Sequence, residues 1–272
     1  MSLQSKAKNF FDKFFWRQHP EAAIRYFPVV SEIKRLKLTN SKILEVGSGS
    51  LGITPYLKKQ IDGIDVDFSG PKSPYVNKIK GTATKLPFRK NSYDVVISVD
   101  TLEHLEKIDR PKAIAEMIRV ARKLAIIVVP IGELSQKQDR NLYEYWEKIF
   151  KEENQFLKEH VKNGLPEVEE ILVNIDKFKR AYEKAAKVKS YPNLNLFVRN
   201  ILMKTWISKN KLIYYMYMKG YLFLLPLLKN ANWGNCYRRV FVIEFESPVN
   251  SHLESYSNRI EKMKGKNQRG SP

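Results

Sequence analysis

The chain has 272 residues, 43% of them hydrophobic and 12% aromatic, which is long and apolar enough to bury a full core and excludes disorder over most of its length. Its formal net charge of +19 favours an anionic partner, namely a nucleic acid, an acidic membrane surface or a phosphorylated substrate, although a generally basic proteome would give the same value. Cys236 is the only cysteine, which excludes an intramolecular disulfide and a cysteine-based zinc site. Charges interrupt the start of the chain where a signal peptide needs an apolar stretch, so we expect a cytoplasmic protein.

Residues 1–40 have the pattern of amphipathic helices. Phe10, Phe11, Phe14 and Phe15 are spaced so that they share one helical face. We predict that this region is a helical cover packed on the main domain. A lid over a binding site and a helix lying on a membrane are the alternatives.

Residues 41–130 alternate between short apolar runs and helical periodicity, which is typical of parallel strands joined by right-handed helical crossovers. This region is therefore predicted to be a doubly wound, Rossmann-like α/β sheet. The predicted strands are 42–46, 61–66, 93–99 and 124–129, and a helix is predicted over 111–122.

After Pro130 the pattern changes to helices with few strand signals. We predict a large helical insertion over 131–235, followed by a strand within 236–248 that returns to the sheet, and a basic, disordered tail over 249–272. The helical patterns of the insertion cover 142–157, 168–186 and 194–207.

The second half of the insertion has an unusual composition. Between Glu183 and Glu244 there is no acidic residue, and within this stretch Leu212–Leu228 is almost wholly apolar and aromatic. That run is shorter than the roughly 20 residues that a helix needs to span a bilayer. It is therefore either an element that lies at a membrane surface or a buried helix pair that lines a substrate cavity.

A glycine-rich turn follows the first predicted strand. Gly47, Gly49 and Gly52 formally match the dinucleotide-binding fingerprint, and Asp65 ends the next strand eighteen residues after Gly47. Glu45 argues against a dinucleotide, because a carboxylate two residues before the turn would repel a pyrophosphate. The same carboxylate suits a ligand with an ammonium or a sulfonium group, and S-adenosylmethionine has both.

The stretch 41–130 resembles the class I S-adenosylmethionine-dependent methyltransferases, and in particular the broad type 11 group. The resemblance rests on five motifs in order at the right intervals. They are 44–49, 63–67, 81–88 with 92–96, 98–105, and 119–122 with 129–130.

The resemblance implies S-adenosylmethionine as cofactor and a role for each matching residue. Gly47, Ser48 and Gly49 would lie against its methionine and sugar, and Glu45 would support its amino group. Asp65 would accept from the ribose hydroxyls, with Asp67 as a competitor for that role. Asp100 completes the residues that would contact the cofactor. The adenine would contact Val66, Thr82 and Ala83, where Thr82 stands in place of the acid that the family usually has.

His104 is the candidate catalytic base. It follows the fourth strand, at the sheet edge where ligands bind in such folds, and it would share a helical face with Asp100. The run from Asp100 to Glu103 and His104 is similar to one with which some quinone-pathway O-methyltransferases hold a divalent metal, but we assign no metal ligand from the sequence. Alternatively His104 is structural and proximity alone drives the reaction. His160, beside Gly164 and Pro166, is expected to be a solvated helix end, with substrate contact as the alternative.

Together these features predict methyl transfer to an oxygen or carbon of a small or lipid-linked, anionic acceptor, with the insertion forming the acceptor pocket. Peripheral association with an anionic membrane follows from the basic, aromatic stretch. The alternatives are an RNA or protein methyltransferase that uses its basic surface, and a non-catalytic member of the family.

Overall fold

Across residues 15, 16 and 18–246, which the computed structural model describes, seven strands form one mixed sheet in the order β3-β2-β1-β4-β5-β7-β6. The strands are β1 Ile43–Val46, β2 Ile61–Asp65, β3 Val76–Lys80, β4 Tyr93–Val99, β5 Ala121–Pro130, β6 Ala186–Asn195 and β7 Cys236–Phe245. Strands β1 to β5 are parallel, and β7 is antiparallel to both β5 and β6. This is the predicted doubly wound sheet.

The helices flank this sheet and fill the connection between β5 and β7. They are α1 Pro20–Arg35, α2 Thr54–Leu57, α3 Arg110–Val120, α4 Gly132–Phe150, α5 Gln155–Asn163, α6 Val168–Ala181, α7 Leu196–Trp206, α8 Lys211–Tyr215, α9 Tyr221–Phe223 and α10 Leu225–Leu228. A 3₁₀ turn covers Leu102–His104, and a π-helical turn covers Met216–Gly220. Of the four phenylalanines predicted to share a face near the N-terminus, only Phe15 lies within the described residues, and the predicted tail lies outside them.

The core lies on both faces of the central strands. Every residue of β4 is buried, as is all of β5 except Arg122 and Lys123. Helix α1 packs on one face through Val29 and Ile33, and α3 packs on the other through Met117. Burial on both faces explains why these two strands are apolar almost throughout.

The insertion contains a strand that the sequence pattern does not predict. Where a helix was expected through residue 186, α6 ends at Ala181, Glu183 adopts a left-handed conformation with φ 55°, and β6 begins at Ala186. Strand β6 lies at the edge of the sheet, so Lys187 and Lys189 can alternate with Val188 and face solvent. The predicted helical insertion over 131–235 therefore also contributes one edge strand to the sheet.

No helix among the described residues combines the length and the hydropathy that crossing a bilayer requires.

Candidate active site

The glycine turn lies between β1 and α2, at the carboxyl edge of the sheet. Gly47 and Gly49 have φ values of 75° and 51°, a region that residues with a Cβ rarely adopt. A Cβ on Gly47 would lie 2.1 Å from Thr101 Oγ1, so the turn packs closely against the segment that follows β4. A Cβ on Gly49 would meet nothing within 4 Å. The turn therefore offers bare backbone to open space at Gly49.

Glu45 lies beneath this turn and is completely buried. Its Oε1 accepts a hydrogen bond from the Tyr26 hydroxyl and its Oε2 accepts one from the Ile53 backbone N–H, both at 2.7 Å. Burial outweighs these two bonds and raises the pKa of Glu45 to about 7. A cationic group near the turn would stabilise the ionised carboxylate, as expected for the ammonium of a methionine moiety.

Asp65 ties the end of β2 to the glycine turn. Its Oδ2 accepts from the Gly49 backbone N–H at 2.7 Å, and its Oδ1 accepts from the Asp67 backbone N–H at 3.1 Å. Because each carboxylate oxygen has two lone pairs, Asp65 keeps acceptor capacity for ribose hydroxyls. The Asp67 carboxylate accepts instead from the backbone N–H and the hydroxyl of Ser69. Asp67 is therefore the weaker candidate for the ribose.

The remaining predicted cofactor residues lie close to this pair. The Ser48 hydroxyl donates to the Gly49 carbonyl at 3.0 Å, and Val66 is 63% exposed, so an apolar surface is available for an adenine ring. Thr82 Oγ1 lies 3.2 Å from Thr84 Oγ1, and the intervening Ala83 packs partly against the core. These positions fit a bound S-adenosylmethionine.

Asp100 is placed differently from the prediction. It adopts φ 50° and is followed by a 3₁₀ turn rather than an α-helix, so it does not share a helical face with His104. Its carboxylate accepts from Arg238 Nε at 2.7 Å and from Arg25 Nη1 at 2.8 Å. Burial alone would raise the pKa of Asp100, but the charges of Arg238 and Arg25 hold it well below its usual range. Glu21 is the second partner of Arg238, so Asp100 belongs to a buried network of two acids and two arginines.

A second, partly buried group of side chains follows in the 3₁₀ turn and in α5. His104 Nδ1 is 2.7 Å from Glu159 Oε2, and its ring centroid is 4.8 Å from that of His160. His160 is 8% exposed, with Nδ1 2.8 Å from Asp139 Oδ2 and Nε2 4.0 Å from Glu103 Oε1. The expectation that His160 is a solvated helix end is therefore wrong, because α5 packs over the 3₁₀ turn and buries it.

These surroundings change the acidity of two groups. Burial and the nearby Asp100 carboxylate raise the pKa of Glu103 well above 4.5. Burial and the neighbouring His160 ring lower the pKa of His104, against the opposing effect of Glu159. A lowered pKa favours the neutral imidazole, which is the form that a base requires.

Sequence reasoning missed the side chains that hold His160. The fully buried Asp139 carboxylate bonds to His160, to the Tyr237 hydroxyl at 2.8 Å and to Arg199 Nη2 at 2.7 Å. The available signal was an acid on the apolar stripe of α4, three residues before the buried Leu142.

A cavity of about 340 Å³ opens at the same sheet edge, beside the network around Asp100. It lies between the end of β5, the start of α4, the end of β6 and the start of β7. Its lining includes Gly132, Glu133, Leu196, Cys236, Arg238 and Arg239.

Comparison with known proteins agrees with this geometry. Residues 44–129 match the type 11 family model described as a methyltransferase domain. No curated protein matches the chain. Among solved structures, a proposed sarcosine dimethylglycine methyltransferase from Galdieria sulphuraria is 13% identical, with a TM-score of 0.51 over 89% of this chain and 97% of that one.

The plantazolicin methyltransferase BpumL, solved with S-adenosylhomocysteine, is 11% identical, with a TM-score of 0.52 over 89% of this chain and 90% of that one. At these identities the two structures show the fold alone. The sheet and the glycine turn are those of class I S-adenosylmethionine-dependent methyltransferases. Residues 44–129 match the type 11 methyltransferase domain, and the chain is an S-adenosylmethionine-dependent methyltransferase.

Proposed function

We propose that this methyltransferase transfers the methyl group to an oxygen or carbon of a small or lipid-linked acceptor with anionic character, and that it works at an anionic membrane surface. The observation that carries the proposal is the exposed apolar surface of residues 212–233, which we call the apolar segment. It is part of the stretch between Glu183 and Glu244 that has no acidic residue.

Large apolar side chains of the apolar segment point into solvent. Leu212 is 76% exposed, Leu227 72% and Trp233 60%, and Tyr215 and Leu224 add further exposed apolar area. Exposure of so many large apolar side chains in one short stretch marks an interaction surface. Lys211 directly precedes the apolar segment and Lys229 lies within it, and cations beside apolar and aromatic side chains favour an interface with anionic lipids.

The cavity beside the sheet edge provides a place for the anionic part of the acceptor. Its volume of about 340 Å³ is at the lower end of the range for small-molecule sites. Arg239 lines it and donates from Nε to Ser190 Oγ at 3.1 Å. Within residues 15, 16 and 18–246, no carboxylate lies at ion-pair distance from Arg239, so its charge is available to a phosphate or carboxylate. Leu196 connects the cavity to α7, which leads toward the apolar segment.

Methyl transfer from a sulfonium needs little covalent help from the protein. The bound cofactor supplies an electrophilic methyl group, and the protein contributes by holding the acceptor in line with it. On this proposal Glu45 balances the cofactor's ammonium charge, Asp65 holds the ribose, and Val66 covers the adenine. His104 and Glu103 lie on the acceptor side, and acceptance of the acceptor's proton by His104 stays a prediction.

The membrane part of the proposal can be tested by flotation with vesicles of phosphatidylcholine alone or mixed with phosphatidylglycerol. We expect the wild type to bind the anionic vesicles, and the triple variant L212S/L227S/W233S to lose at least tenfold in binding. A matched control is I108S/V173S, which removes side chains that are 72% and 65% exposed outside the apolar segment. The control should bind vesicles as the wild type does, and both variants should keep their affinity for S-adenosylhomocysteine. Equal binding of the wild type to neutral and anionic vesicles would contradict the proposal.

The acceptor class can be read from methyl-labelled S-adenosylmethionine incubated with the protein and an extract of its host. Label in the organic fraction would support a lipid-linked acceptor. Label among the water-soluble small molecules would support a small acceptor that is not linked to a lipid. Label in RNA or protein would instead mean that the net charge of +19 binds a polymer.

A further inference from the structure

We propose that Glu103, His104 and His160 form a binding site for a divalent transition-metal ion. One donor atom from each of the three residues lies within 4.8 Å of the other two. They come from the 3₁₀ turn after β4 and from α5, so the site exists only when the insertion packs on the sheet edge.

The first argument is the state of Glu103. Its side chain is 0% exposed, and neither carboxylate oxygen has a hydrogen-bond partner among the described residues. A buried carboxylate is normally hydrogen-bonded, paired with a cation or bound to a metal, because burial without a partner is costly. Arg110, which is buried nearby, directs its guanidinium to the carbonyls of Leu102, Asn163 and Gly164 instead. A bound cation would supply the partner that Glu103 lacks.

The second argument is the orientation of the two histidines. His160 Nδ1 bonds to Asp139 at 2.8 Å, and His104 Nδ1 bonds to Glu159 at 2.7 Å. A carboxylate at Nδ1 fixes the proton on that nitrogen and leaves the lone pair on Nε2, as in carboxylate–histidine–metal arrangements. His160 Nε2 is buried, has no hydrogen-bond partner in the described chain, and lies 4.0 Å from Glu103 Oε1.

The spacing of the donors is slightly wider than in an occupied site. Ligands at about 2.1 Å from a tetrahedral ion are about 3.4 Å apart, so the observed 4.0 to 4.8 Å requires a contraction of about 1 Å. We expect rotation of the three side chains to supply this movement.

The donor set selects the ion. Two imidazoles and one carboxylate suit zinc and its first-row neighbours, whereas magnesium and calcium prefer oxygen ligands. The His104 side chain is 26% exposed, against 10% for His160 and 0% for Glu103, so the open ligand position lies on the side of His104. An acceptor hydroxyl bound there would become more acidic, with His104 acting as a ligand rather than as a base. That last consequence rests on the proposed oxygen acceptor, and the ion site itself does not.

The test uses the full-length protein without an affinity tag, stripped with a chelator and then titrated with zinc or with cobalt. We expect one tight ion per chain and the intense visible absorption of four- or five-coordinate cobalt. Glu103→Gln and His160→Gln should weaken binding about 100-fold or more, and Glu159→Gln, which removes a support of His104, about 10-fold to 100-fold. Magnesium should not compete at equal concentration.

A matched control is His19→Gln, because the His19 ring packs on Tyr217, away from this site, and this variant should bind zinc as the wild type does. Binding of S-adenosylhomocysteine verifies the fold of every variant and is expected to persist without metal. That readout separates failure of the metal site from failure of the proposed acceptor. Zinc binding unchanged in both Glu103→Gln and His160→Gln, or absent from the wild type, would overturn the proposal.

Discussion

Replacing Gly49 with alanine should separate cofactor binding from folding. At φ 51° an alanine costs about 1 kcal/mol in backbone strain, and its Cβ would meet nothing within 4 Å. The free energy of unfolding should therefore fall by about 1 kcal/mol. The added methyl group would occupy the space where the cofactor's methionine and sugar are expected, so the affinity for S-adenosylhomocysteine should fall at least tenfold, or about 1.4 kcal/mol.

Gly47→Ala is the matched comparison, because its Cβ would lie 2.1 Å from Thr101 Oγ1. Backbone strain of about 1 kcal/mol and overpacking of about 1–3 kcal/mol should make this variant the less stable of the two. In a Thr101→Gly background the clash is removed, so Gly47→Ala should then cost only the strain. The difference is a coupling energy that a double-mutant cycle measures.

Urea unfolding gives the stabilities, and isothermal titration calorimetry gives the affinities. Unchanged S-adenosylhomocysteine affinity in a folded Gly49→Ala protein would refute the placement of the cofactor against this turn. A Gly47→Ala protein as stable as Gly49→Ala would refute the steric argument for Thr101.

Two further predictions concern buried carboxylates. The pKa of Glu45 is about 7 in the folded protein against 4.5 in the unfolded chain, so its ionisation opposes folding. The stability that the protonated carboxyl contributes is lost as pH rises from about 4.5 through 7. Glu45→Gln should therefore lose less stability than the wild type between about pH 5 and about pH 8, and parallel urea midpoints would contradict this. Asp100→Asn should cost about 3 kcal/mol, because it leaves Arg25 and Arg238 buried beside a neutral group. Asp176→Asn, which breaks a solvent-exposed pair with Arg180, should change little, and equal losses in urea unfolding would argue against the buried network.

The central part of the fold could be predicted because its signals are local. Strands β4 and β5 are buried on both faces, so each is a nearly unbroken apolar run. The turn at Gly47 and Gly49 needs backbone conformations that favour glycine, and Asp65 follows at the interval set by one strand–helix–strand unit. Spacing along the chain therefore indicated both the sheet and the cofactor.

The edges of the sheet could not be predicted in the same way. Strand β3 alternates only weakly, with one buried residue at Val76, and β6 carries lysines on its outer face. An edge strand buries few side chains, so its apolar pattern is faint. Its identity as a strand depends on pairing with a neighbour that is distant in sequence, as β6 depends on β7.

The amino-acid sequence by itself determined the sheet core, the glycine turn and the cofactor class, because each depends on residues close together in the chain. Only the tertiary structure decided the partners of the buried charges. Asp100 meets Arg25 and Arg238 across 75 and 138 residues, and His160 is brought to Glu103 by the packing of α5. A charged side chain that is buried away from water needs a partner, and the fold decides which residue lies beside it. The spacing of residues along the chain does not indicate that partner.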